Sequence, residues 1–132
     1  MDYLLFGSLI YCVLGIAHMA LTLFTKAFEP RSESVLDAMK NTHPRITMAT
    51  SIWAGSEGFH LSHSLGMFAV GFFGLYIGYA DLNLNNELFV LQSFLVLTSL
   101  CYLVLSITYW FILPTIGFAA ATILFIVWGI TG

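Results

Sequence analysis

Charge is what this sequence has least of. Only four of its 132 residues are Lys or Arg and seven are Asp or Glu, 8% in all, against about 25% in an ordinary water-soluble domain. That scarcity excludes a polar shell large enough to wrap a water-facing core. The slight net charge of −3 gives no sign of the basic surface that nucleic acid favours, so no nucleic-acid partner is expected. Cysteine is nearly absent, and Cys12 and Cys101 each lie inside an apolar run. They read as small buried hydrophobes, not as a disulfide or metal pair. No basic residue precedes the first apolar run, so a cleaved signal peptide is not expected. The alternation of period two that marks a barrel strand is missing. So are the Gly-x-Ser-x-Gly elbow of a hydrolase and the lysine of a phosphate-binding loop.

What remains is apolar: 59% of the residues are hydrophobic and the mean hydropathy is +0.91. The apolar residues gather into four spans, at about 3–24, 50–80, 88–113 and 115–131, with Pro114 dividing the last two. Each is near the roughly 20 residues that a bilayer-crossing helix needs. Backbone groups in lipid must pair within the segment, so the spans are expected to be helices. All four cations, Lys26, Arg31, Lys40 and Arg45, fall between spans one and two. The positive-inside rule then makes that loop cytoplasmic and both termini non-cytoplasmic, in a multi-pass protein of the cell membrane. The turn Asp81–Glu87 and Asp2 carry acidic charge only, which agrees.

The cationic loop holds "EPRSESVLDAMKNT". Ser32 or Ser34 can cap a helix there, Glu33 and Asp37 come early, Lys40 comes late, and Val35, Leu36 and Met39 share one side. The pattern predicts a short helix on the membrane surface.

Small and polar residues recur at sevens in every span. The second has Glu57, Ser64, Gly71 and Gly78, with His60, Met67 and Gly74 three positions after the first three. Leu61, Leu65, Phe68, Phe72 and Tyr76 lie opposite, facing lipid. Span one repeats Tyr11, His18 and Thr25, flanked by Ser8, Gly15 and Thr22. Span three has Gln92, Ser99 and Ser106, beside Tyr102 and Tyr109. Span four has Thr115, Thr122 and Gly129. A repeat of seven implies left-handed packing, so the expected fold is all-α, one transmembrane domain over 1–132. It is an antiparallel four-helix transmembrane bundle with an interfacial helix between spans one and two. Gly71, Gly74 and Gly78 are the expected helix-packing positions, because small residues allow backbones to approach. From Ile46 to Tyr79 a continuous helix would measure about 51 Å at the usual rise, so Gly55 and Gly58 are candidate breaks.

The stretch "SEGFHLSHSLG" carries the chemistry. Counting turns from the membrane edge puts His18 of span one at the depth of His60 and His63 of span two. Ionisable groups in a span point to function, and His18, Thr22, Glu57, His60, His63 and Ser64 form a candidate ligand pocket. His63 is expected to point towards span one. The plainer reading has these side chains bonding across helices with no cofactor. The alternative makes His18, His60 and His63 ligands for a transition metal or haem. A di-iron site is disfavoured, because spans one, three and four offer no acid within the membrane. His43 reads as an ordinary loop residue.

The pieces "FEPRSESVLDAMKNT" and "SIWAGSEGFHLSHSLGMFAVG" together resemble a family of small uncharacterised bacterial four-helix integral membrane proteins. Members show a Gly-Phe-polar-x-Ser-His-x-Leu-Gly run like Gly58–Gly66 here. The likeness covers spans one and two and implies the four-helix architecture. It gives weight to Ser62 and His63 and implies no activity. The function expected from the whole sequence is that of an accessory or small-ligand-binding subunit with a polar pocket at the cytoplasmic side. Its expected partners are the bilayer and either another membrane protein or further copies of itself. The alternative is a redox subunit or a membrane enzyme acting on a lipid or quinone.

Overall fold

The computed structural model describes residues 1–80 and 88–131, so the turn expected over Asp81–Glu87 lies outside the described residues. The chain is helical: α1 is Asp2–Phe24, α2 Glu33–Asn41, α3 Ile52–Tyr79, α4 Leu88–Tyr109 and α5 Ile112–Thr131. No strand occurs among the described residues. Four of the helices, all but α2, are long and apolar enough to cross a membrane.

Two expected boundaries move. The division between the last two spans falls before Ile112, not at Pro114. The Trp110 N–H donates to the Ser106 carbonyl and ends α4. Pro114 then sits in the first turn of α5, where an N–H would have no helical partner in any case. The second span starts at Ile52 and continues unbroken through Gly55 and Gly58, and no glycine among the described residues has positive φ. The start is set by Ser51, whose Oγ accepts from the Ala54 N–H at 3.1 Å, the bond that caps an N-terminus. In α2 the capping position is Ser32, as expected, but its hydroxyl pairs with that of Ser34 at 2.8 Å instead of capping the helix.

The described residues form two compact units. The first, Met1–Leu14 with Met67–Gly132, has a core of Leu4, Tyr11, Met67, Leu95, Phe118, Ala121, Phe125 and Trp128. Tyr11 is its centre. Its ring centroid lies 5.7 Å from that of Tyr102, 5.4 Å from Phe118 and 5.9 Å from Phe125. α1 and α3 meet along glycines. A Cβ on Gly71 would lie 2.5 Å from the Ser8 carbonyl oxygen and 2.6 Å from the Cys12 backbone nitrogen. One on Gly74 would collide with the Ser8 hydroxyl, and one on Gly78 with Leu5. The α1 partner number falls as the α3 number rises, so the pair is antiparallel. α4 and α5 pack together and share a buried hydroxyl pair, Ser99 Oγ to Thr122 Oγ1 at 2.8 Å.

The heptad stripe holds in the middle of each helix and, apart from Ser106 in the last turn of α4, fails towards the ends. Ser8, Ser64, Ser99, Ser106 and Thr122 are buried, whereas Thr25, Glu57, Tyr109 and Gly129 are exposed. A straight helix drifts about 20° per heptad, which carries terminal positions off the packed face. Cys12 is buried, but Cys101 is exposed, a correction to the expectation for that residue. Large apolar side chains cover the outer surface of this unit, with Phe6 61%, Leu97 62% and Ile123 62% exposed. The second unit, Gly15–Gly66, carries the later part of α1, all of α2 and the start of α3. Its loop is tied down by the Ile52 N–H donating to the Thr42 carbonyl at 2.9 Å. His43 Nδ1 likewise bonds the Thr50 carbonyl at 2.9 Å.

Candidate functional site

The polar residues of the second unit meet where α1 and α3 face each other. His18 Nε2 lies 3.1 Å from His60 Nδ1. One proton serves this contact: one nitrogen donates it and the other accepts. The His63 ring stands edge-on to His18, with centroids 5.3 Å apart. His63 thus lies beside His18 of α1. The structure therefore brings all three imidazoles together. Apolar rings pack against them. Phe28 lies 4.5 Å from both His18 and His60, centroid to centroid, and Phe59 stacks parallel to His63 at 6.2 Å.

Two hydroxyls expected in the pocket are committed to their own helices. Thr22 donates to the His18 carbonyl at 2.8 Å and Ser64 to the His60 carbonyl at 2.8 Å. Neither hydroxyl hydrogen is left for an imidazole. Thr25 does the same towards Leu21 at 2.6 Å.

Beside His60 lies a small cavity of about 30 Å³. Thr22 and Thr25 line it from α1, Phe28 and Glu29 from the segment after α1, and Trp53, Glu57 and His60 from α3. Three of the expected pocket residues, Thr22, Glu57 and His60, thus border it, whereas His18, His63 and Ser64 do not. Phe28, Glu29 and Trp53 were not expected there. Trp53 had a readable signal, since it lies four residues ahead of Glu57 on one helix face. Phe28 and Glu29 had none, because they follow α1 in an irregular segment. The volume is enough to admit a water-sized guest and far below the roughly 300 Å³ where pockets for organic ligands begin. Among the described residues, no three His, Cys, Asp or Glu side chains form a group that could hold a metal ion.

The packing glycines of the α1–α3 contact belong to the first unit and take no part in this cluster. The four long apolar helices and their outward apolar side chains fit a small multi-pass membrane protein. No family model, curated protein or solved structure matches the chain.

Proposed function

We propose that this is a four-span membrane protein acting as an accessory subunit that binds a very small polar ligand beside His60. The spans make an antiparallel bundle, α2 lies on the membrane surface, and the loop that carries Lys26, Arg31, Lys40 and Arg45 is cytoplasmic. The likeness to small four-helix bacterial membrane proteins belongs to the same reading. The observation that carries it is the water-sized cavity, lined by Glu29, Glu57 and His60, next to the His18–His60 hydrogen bond. Ionisable groups in a membrane segment are costly unless used. The nearness of the three imidazoles favours a second reading, a metal- or haem-bearing redox subunit. A cavity of 30 Å³ supports the smaller ligand.

Trp53 reports on the cavity. Its emission is the wild-type spectrum minus that of Trp53→Phe, measured in lipid vesicles. We expect it to resist iodide quenching several-fold better than free tryptophan. Quenching equal to that of free tryptophan would mean that no enclosed pocket exists.

A further inference from the structure

We propose that the cavity beside His60 binds a primary ammonium group, supplied as free ammonium or as the head of an aminophospholipid. The inference rests on the pocket reading above and names its ligand.

Size sets the first limit. A cavity of about 30 Å³ admits a water-sized guest, and an ammonium group is close to water in size. A trimethylated amine is several times larger. Chemistry sets the second. The lining offers acceptors and aromatic faces and contains no Lys or Arg. Thr22 and Thr25 spend their hydrogens on the carbonyls of His18 and Leu21, so their oxygens can only accept; Thr25 Oγ1 already accepts from the Ala27 N–H at 3.1 Å, which leaves Thr22 Oγ1 the freer acceptor. Glu29 and Glu57 supply negative charge. Phe28 and Trp53 border it as aromatic rings, a residue type whose faces attract cations. Two carboxylates repel an anion.

His60 completes the site. Its Nδ1 is engaged with His18 Nε2 at 3.1 Å, which leaves Nε2 for a ligand. When Nδ1 carries the proton and donates it to His18, Nε2 is an acceptor for an N–H of the ligand. A hard metal cation seeks oxygen ligands throughout and gains little from an imidazole nitrogen. An N–H donor uses the oxygens and the nitrogen alike.

The test uses the full chain in phosphatidylcholine vesicles at fixed pH and ionic strength, reading the Trp53 difference emission. Ammonium chloride should give a saturable change. Potassium chloride should act at least about fivefold more weakly, and tetramethylammonium chloride should do nothing. Glu57 is exposed, so Glu57→Gln should leave folding intact and raise the ammonium midpoint by about fivefold or more. Vesicles containing phosphatidylethanolamine separate the sources. A lipid head in the site shifts the emission before any ammonium is added and abolishes the titration. A site for free ammonium titrates as it does in phosphatidylcholine. Three results would each overturn the proposal: no response to either source, an equal response to potassium, or an unchanged midpoint in Glu57→Gln. Trp53 that resists iodide yet ignores ammonium sinks the ligand and keeps the pocket; Trp53 open to iodide sinks both.

Discussion

At Gly71 a methyl group has nowhere to go: the nearest atoms belong to the backbone of Ser8 and Cys12, and backbone cannot rotate aside. At Gly55 and Gly58 nothing lies within 4 Å of an added Cβ. Gly71→Ala should therefore destabilise the protein in detergent unfolding by about 1–3 kcal/mol, the usual cost of overpacking. Gly55→Ala and Gly58→Ala should stabilise it by up to about 1 kcal/mol through helix propensity. Equal effects would refute the close contact of α1 with α3. Tyr11 gives a second contrast. Thr122 donates to the Phe118 carbonyl at 2.7 Å, so Ser99 must donate in the Ser99–Thr122 pair. The Tyr11 hydroxyl is buried with no partner in bonding geometry, although Ser99 lies against it. Tyr11→Phe should change stability by less than about 0.5 kcal/mol, because it leaves no new orphan. Ser99→Ala should cost about 1 kcal/mol, the worth of its bond to Thr122. Thermal denaturation of the two variants side by side decides. The packing glycines were legible because a spacing of seven keeps them on one face of a helix. Phe28 and Glu29 were not, because an irregular segment has no period from which direction can be read.

Among the elements, α3 shows how local chemistry overrides pattern. A glycine pair suggested a break near Gly55 and Gly58, yet the helix runs through both. Gly costs only about 1 kcal/mol against Ala inside a helix, less than the backbone bonds a break would leave unpaired. The start of α3 hangs on a cap that apolar periodicity could not reveal. Ser51→Ala removes the acceptor of the Ala54 N–H and should cost about 1 kcal/mol. It should also fray the first turn and make Trp53, the second residue of α3, easier to quench with iodide. An unchanged quenching constant would show that the cap does not hold that turn. Pro114 teaches the converse. Proline marks a helix boundary only to within a turn, since the first turn accepts it without loss.

For the molecule as a whole, the fold class was open to reading from composition, because a chain this poor in charge cannot cover itself with polar surface. The proposed membrane orientation rests on the placement of four cations in one loop, a statement about insertion that a folded structure does not contain. Single cysteines at Glu33 and at Asp2 test it in intact cells. An impermeant thiol reagent should label the cysteine at position 2 and spare the one at position 33 until the membrane is opened. The reverse pattern would invert the topology.

The 28 residues of α3 span about 42 Å at 1.5 Å per residue, some 10 Å more than a typical hydrocarbon core of about 30 Å. The surplus must tilt or protrude, and the first turns of α3 carry Trp53, Glu57 and His60. On the proposed topology the site stands at the margin of the oil, and acyl-chain length would set how wet it is. In short-chain bilayers the cavity stands among headgroups and water. In long-chain bilayers it is drawn towards the hydrocarbon, where a charged guest is harder to admit. Trp53 emission should move to the blue as the acyl chains lengthen, and any ligand of the site should bind more weakly along the same series. The thickness of its membrane would then act as a setting on this protein, with no second binding site required.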